Sequence, residues 1–140
     1  MTFVSALIQD VAGPTGKVLI CRKEGGAWQL PACKVFTSER PECAVARLAW
    51  EQLGIGLKVG KLAMIGRHLR PETDTKHDYH EYYEAVNLWQ KAPKSDVYRE
   101  MIWVSPSELS NYEFEGDDKS FMAKYVPWIN CKKIPDVRMY

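Results

Sequence analysis

The sequence predicts one α/β domain, a mixed β-sheet flanked by helices. Three observations carry that reading: short aliphatic and aromatic segments parted by glycine- and proline-bearing turns, one unbroken helical stretch after the third segment, and a second helical stretch near the end. At 140 residues, 46% apolar and 26% charged, the chain can bury one core but is short for two, and residues 1–140 read as a single domain. The formal net charge is +1 and no basic block stands out, which weighs against binding a nucleic-acid backbone. No run approaches the roughly 20 apolar residues of a membrane helix. The segment Met1–Asp10 lacks the basic stretch and the length of a signal peptide, so cytoplasmic residence is the expectation.

The elements follow in order. Phe3–Gln9 is a β-branched and aliphatic run ended by Gly13-Pro14-Thr15-Gly16, and Lys17–Lys23 is a short buried strand with charged ends. After Gly25-Gly26, Trp28–Pro31 reads as another short extended piece. Pro41 suits the first turn of a helix, Glu42 complements its dipole, and Gly54 supplies the stop. Val45, Ala49 and Leu53 give that helix, 41–53, its inward stripe. Leu57–Leu69 is extended, with Gly60 and Gly66 as bends, and Pro71–Asp78 is a polar loop. His80–Trp89 resumes a strand, Pro93–Arg99 is a loop, and Met101–Val104 is a last strand. Ser105-Pro106 reads as a capped helix start, and a final helix is expected from Asp117 to about Val126, before Pro127. Cys21, Cys33, Cys43 and Cys131 form no CxxC pair, so reduced thiols are expected, with a zinc site or disulfide as the weaker alternative.

The stretch Trp28-Gln29-Leu30-Pro31-Ala32-Cys33-Lys34-Val35, with Glu39, Arg47, Glu51, Gly54 and Ile55 at the family's spacing and no insertion, resembles the Nudix box. Arg22 on the preceding strand and Trp103-Val104-Ser105-Pro106-Ser107-Glu108-Leu109 are similar to the flanks of that family, although only residues 28–55 are distinctive. The resemblance implies a Nudix-type α/β/α sandwich. It also implies metal-dependent pyrophosphate cleavage, with Mg²⁺ or Mn²⁺, of a nucleoside diphosphate linked to another moiety. Three positions depart from the pattern. Cys33, preceded by Ala32, stands where the family has glycine, Leu48 where it has the Glu after the arginine, and Gln52 where it has the second Glu of a pair.

On an α-helix Leu48, Glu51 and Gln52 would share one face, spread over roughly a quarter to a third of the circumference. Carboxylates there would make an oxygen-rich patch suited to Mg²⁺, which can clamp a diphosphate and generate hydroxide. This chain keeps one carboxylate, one amide and one aliphatic group, and Gln52 can offer only a carbonyl oxygen. Glu51 is thus the candidate metal ligand and catalytic acid, or else a solvated partner of Arg47. Further acids are sought in Glu81, Glu84 and Asp78. The dense segment His77-Asp78-Tyr79-His80-Glu81-Tyr82-Tyr83-Glu84 makes His80 and Glu84 candidates for a replacement base, against the plainer reading of a polar strand. Period-two alternation puts His80, Tyr82 and Glu84 on one face and Glu81 on the other. Arg22 is a candidate phosphate contact, and Trp28, Tyr82 and Tyr83 could stack on a base unless they belong to the core. Glu39 resembles the residue that braces the helix arginine, so Glu39 and Arg47 carry a structural role.

Three functions stand open. One is hydrolysis with Glu51 and an acid of the 78–84 segment holding the metal. The second is a nucleotide-binding or regulatory domain that has lost catalysis, motivated by Leu48 and Gln52. The third is a redox or zinc module on the cysteines. The partner expected is a nucleoside-diphosphate-type small molecule, with neither nucleic acid nor membrane, and the resemblance also allows a homodimer.

Overall fold

The computed structural model describes residues 1–13, 15–68 and 78–132, the side chains of 64–68, 78 and 130–132 excepted. Most of the stretch expected as a polar loop, His77 included, therefore lies outside the described residues. Six strands, β1 (Thr2–Gln9), β2 (Val18–Arg22), β3 (Ala32–Lys34), β4 (Leu57–His68), β5 (Asp78–Asn87) and β6 (Glu100–Val104), form one mixed sheet among the described residues. Its order is β4-β5-β1-β2-β6, with β3 also paired to β1. β1 runs parallel to β5 and antiparallel to both β2 and β3. β2 meets β1 at Gln9↔Val18, whereas β3 meets it at Phe3–Ser5, so two strands share one edge of β1 and diverge from each other.

The extended piece expected at Trp28–Pro31 is displaced, and β3 begins only at Ala32. Pro31 has no N–H to give to a ladder, and its carbonyl instead accepts the Ala6 N–H at 2.9 Å. Upstream of it, Gln29 exchanges backbone bonds with Cys21 at 2.9 and 2.7 Å.

Alternation along the strands sorts side chains into two cores. Val4, Ala6, Ile8, Leu19, Cys21, Tyr83 and Ala85 pack against helix α1 (Pro41–Leu48). Leu7, Val18, Ile20, Tyr82 and Val104 pack against helix α2 (Gly116–Lys132). A sheet covered on both faces in this way is the sandwich that the sequence implies.

The signature helix is not uniform. α1 gives way to a π-helical turn over Ala49–Leu53, closed by Gly54 in the left-handed region at φ 65°. A π turn holds more residues per turn than an α turn, so each residue rotates less and the register of side chains shifts. Leu53 stays in the core, fully buried beside Val45 and Ala49, while Glu51 turns outward. The expectation for Leu48 is corrected: it is fully buried in the α1 core and looks into no cavity shared with Glu51. Three residues after Val45, it belongs to the apolar stripe. Gly56 is held by packing, since a Cβ there would meet the Trp89 ring at 2.4 Å.

Two further expectations change. Ser105 makes no side-chain cap, and Pro106–Asn111 is a 3₁₀ turn. The final helix does not end before Pro127 but carries it inside and continues to Lys132. Tyr125 and Ile129, both buried, anchor the helix on either side of the missing N–H. None of the described helices is long and apolar enough to cross a membrane.

Candidate functional site

The arginine expected to be braced is braced. Arg47 Nε donates to Glu39 Oε2 at 2.9 Å and its Nη2 to Glu39 Oε1 at 3.1 Å, a bidentate pair. Nη2 also reaches the Lys34 carbonyl at 2.8 Å, and the guanidinium lies 3.7 Å from the centre of the Phe36 ring. These bonds tie the loop after β3 to α1. The arginine bond, followed by a second from the Phe36 N–H, holds the Glu39 carboxyl below the ordinary carboxylate range.

Glu51 is the outer end of the same array. Its Oε1 accepts from Arg47 Nη1 at 3.1 Å, and its side chain is 56% exposed. Gln52, expected to lend a carbonyl oxygen, has both ends of its amide in use. Nε2 donates to the Ala32 carbonyl at 2.9 Å, and Oε1 accepts the Tyr98 hydroxyl at 2.8 Å. Glu81 lies on the α1 side with Tyr83, whose hydroxyl donates to it at 2.6 Å. Glu84 faces the opposite way, beside Lys61, Lys124 and Tyr125 of a separate hollow. As the alternation predicts, Glu81 and Glu84 are on different faces.

These residues do not fit the metal implied by the resemblance. The helix offers one carboxylate, Glu51, whose Oε1 is paired with Arg47, and one neutral amide oxygen, Gln52 Oε1, which accepts the Tyr98 hydroxyl; Leu48 contributes no oxygen. Among the described residues no three His, Cys, Asp or Glu side chains come together as a metal site. Cys21, Cys33 and Cys43 are free thiols. Burial pushes Cys21 up to about 12, which keeps it protonated.

A different group of residues surrounds a cleft of about 340 Å³ beside Ala32, within the range of small-molecule sites. Lys23, Trp28, His80, Glu115, Asp117 and Asp118 line it. Residues 26–29, between β2 and β3, and Asp117 and Asp118 of the first turn of α2 contribute to its lining. Asp118 is nearly buried, accepting the Leu30 N–H at 2.9 Å and the Tyr82 hydroxyl at 2.6 Å. Burial raises its pKa against the opposing pull of those two bonds. Asp117 Oδ2 lies 2.9 Å from His80 Nδ1, and His80 Nε2 lies 2.6 Å from Ser5 Oγ. An aspartate bound to Nδ1 fixes the ring so that Nε2 accepts the serine proton.

That Ser–His–Asp row has the order of a hydrolytic relay but not its access. Ser5 is fully buried within β1, so no substrate carbonyl reaches it, and it works as a support for His80. Of the other candidates, Trp28 lines the cleft, with Tyr112 edge-on to it and Arg22 over its ring at 4.7 Å. Arg22 is itself paired with Glu100. Tyr82 is corrected: it offers no face to a ligand. Its ring is stacked between His80 and Phe121, at 4.4 and 4.1 Å between centroids, and fully buried. The sequence reading missed Asp117, Asp118 and Tyr98. The adjacent aspartates opening the last helix were the available signal for the first two, and Tyr98 gave none.

The NUDIX domain model matches residues 1–129. The chain belongs to this family. A Mycobacterium tuberculosis protein named "Putative 8-oxo-dGTP diphosphatase 2" is 29% identical over 109 residues, covering 75% of this chain and 72% of that one. The structure of the MutT protein from Methanosarcina mazei Go1 superposes with a TM-score of 0.72 at 23% identity, over 93% of this chain and 94% of that one. The NUDIX domain of Shewanella oneidensis NrtR, solved with ADP ribose, gives 0.67 at 14% identity, over 92% and 88%. At these identities the solved structures establish the Nudix fold, and with it the mixed sheet between helices.

Proposed function

We propose that this Nudix domain binds a nucleoside phosphate in the cleft between β3 and the start of α2, and that binding does not depend on a helix-held metal. The observation that carries this reading is the cleft itself. It pairs an aromatic wall, Trp28, with the adjacent acids Asp117 and Asp118 and with Lys23 at its rim. A flat base suits an aromatic wall, the Asp117 carboxyl, held in place beside the buried Asp118, suits an N–H donor on a base edge, and an ammonium suits phosphate. The names of the two relatives, "Putative 8-oxo-dGTP diphosphatase 2" for one and a NUDIX domain complexed with ADP ribose for the other, lend support from nucleotide chemistry.

Isothermal titration in EDTA with 8-oxo-dGTP, dGTP, ADP-ribose, a dinucleoside polyphosphate and a nucleotide sugar tests this. At least one should bind with a Kd of about 1–100 μM, and Asp117→Ala or Trp28→Ala should weaken it at least about tenfold, a loss of roughly 1.4 kcal/mol. No binding by any of them would refute the reading.

Pyrophosphate hydrolysis is the second reading, and the intact Glu39–Arg47–Glu51 array favours it. In that reading Glu51 is the surviving acid, and Mg²⁺ or Mn²⁺ would need further ligands beyond the helix. Release of phosphate or pyrophosphate from the same panel with either ion, abolished by Glu51→Ala, would support it. Absence of turnover across the panel would remove it.

A further inference from the structure

The departure at Gln52 is matched by a partner far along the chain, and the two close a ring. The Ala32 N–H donates to the Tyr98 hydroxyl oxygen at 3.3 Å, that hydroxyl donates to Gln52 Oε1 at 2.8 Å, and Gln52 Nε2 returns to the Ala32 carbonyl at 2.9 Å. Each group donates once and accepts once, so the bonds run head to tail and polarise one another in the same sense. The amide orientation is fixed by this geometry. Rotated by half a turn, Gln52 would set two oxygens against each other at Ala32 and leave the Tyr98 hydroxyl hydrogen facing an NH₂.

The loop that brings Tyr98 to this place is itself tethered. Lys94 N–H bonds the Leu53 carbonyl at 2.9 Å, the Val97 and Tyr98 N–H groups bond Ser95 Oγ at 3.0 and 3.1 Å, and Arg99 N–H bonds the Arg22 carbonyl at 2.8 Å. Tyr98 is buried, and burial is the main reason its hydroxyl is raised well above the ordinary phenol range, so it stays a neutral donor.

We propose that Gln52, Tyr98 and the Ala32 backbone form an uncharged clasp that takes the place of a divalent cation, joining the π turn, the start of β3 and the 94–99 loop without metal. A cation at Gln52 Oε1 would share that oxygen with the Tyr98 hydroxyl, or leave a buried donor unpaired by displacing it, and would gain one neutral oxygen in return. The nearest helix carboxylate, Glu51, is turned to Arg47. The clasp rests on the binding reading above only for its consequence, that the cleft beside Ala32 is formed in advance of any ion.

The test uses the whole chain, Mn²⁺ as the probe, electron paramagnetic resonance for bound ion, and thermal melts in EDTA or Mg²⁺. Wild type should take up no stoichiometric Mn²⁺ at about 0.1 mM free ion, and its Tm should be the same in EDTA and Mg²⁺. Gln52→Glu should melt several degrees lower in EDTA, recover with Mg²⁺, and bind Mn²⁺ at least about tenfold more tightly than wild type. Tyr98→Phe and Gln52→Ala should each lower the Tm, and the double variant should lose less than the sum of the two. One Mn²⁺ bound by wild type at that concentration, an EDTA-sensitive wild-type Tm, or strict additivity in the cycle would each overturn the clasp. Failure of the nucleotide panel would sink the proposed function and leave these results untouched. Metal binding by wild type would sink the clasp and leave nucleotide affinity untouched.

Discussion

The two faces of the sheet treat charge in opposite ways. On the α1 side, Glu39, Arg47 and Glu51 form a charged array that runs from a mostly covered ion pair to the exposed Glu51. On the α2 side, Ser5, His80, Tyr82, Asp117 and Asp118 form a network that is mostly buried and ends in a cleft. The first coincides with the family's motif, and its carboxylates are turned to Arg47. The second is built mainly from residues outside the motif, and its buried acid and histidine meet the motif's first residue, Trp28, in the cleft. The lesson is structural: the motif residues Glu39 and Arg47 brace the loop after β3 against α1, while the polar groups that line the described cleft beside Ala32 come largely from β5 and the start of α2.

The largest expected effect is at Asp118. Asp118→Ala leaves the Leu30 N–H and the Tyr82 hydroxyl buried without their acceptor, which should cost about 2–3 kcal/mol of stability in denaturant melts. Tyr82→Phe takes one donor from Asp118 Oδ1 while Oδ2 keeps the Leu30 N–H, and should cost less, about 1–2 kcal/mol. A reversal of that order would mean that the carboxylate's own desolvation outweighs the bonds it accepts. Nucleotide affinity should fall in Asp118→Ala and be retained in Tyr82→Phe, because Tyr82 offers the ligand no surface.

Next comes Arg47. Both partners of its pair to Glu39 are about four-fifths covered, with side chains 20% and 15% exposed. Solvent screening keeps the expected loss for Arg47→Ala to about 1–2 kcal/mol. Arg47→Lys should recover little of it, since an ammonium cannot bond both Glu39 oxygens and the Lys34 carbonyl in one plane. Full recovery by lysine would reduce the brace to a simple charge pair.

The contrast between the faces also explains what could be read from the sequence. Strands β1, β2, β5 and β6 were legible because alternation and turn residues are local signals, and they sorted Glu81 from Glu84 correctly. Helix 41–53 was legible as a helix, with Gly54 as its stop. Its π turn was not, because hydrophobic spacing alone does not distinguish a widened turn, and the position of Glu51 depends on that turn. Asp118 acts on Leu30 across 88 residues and Tyr98 on Ala32 across 66, distances at which no local pattern reports. Pro127 misled because a proline ends an isolated helix, whereas this one is held by Tyr125 and Ile129 in the α2 core.

Acid should probe the charged face selectively. The Glu39 carboxyl titrates below its ordinary value of 4.5, chiefly through Arg47, so the ionised form is the one favoured by folding. The stability it contributes is present above about pH 4.5 and is lost as the pH falls through the lower folded value. The gap in stability between wild type and Glu39→Gln should therefore be wide at neutral pH and close as the pH falls below 4.5 through the lower folded value. A gap that stays constant on acidification would mean that the loss in Glu39→Gln comes from packing and not from charge.

The smallest structural effect and the sharpest functional one meet at Glu51. Its bond to Arg47 is an exposed i, i+4 pair, worth about 0.3–0.5 kcal/mol, so Glu51→Ala should barely move a melting curve. Its nucleotide affinity in EDTA should equal that of wild type, because the side chain is not part of the cleft lining. Turnover is where the two faces can be told apart. A measurable Mg²⁺-dependent hydrolysis that vanishes in Glu51→Ala, with stability and affinity unchanged, would mean that the α1 array still reaches the phosphates of a ligand held from the other face. Affinity unchanged with no turnover in either protein would leave Glu51 as a helix-surface charge, and the recognition chemistry wholly on the α2 side.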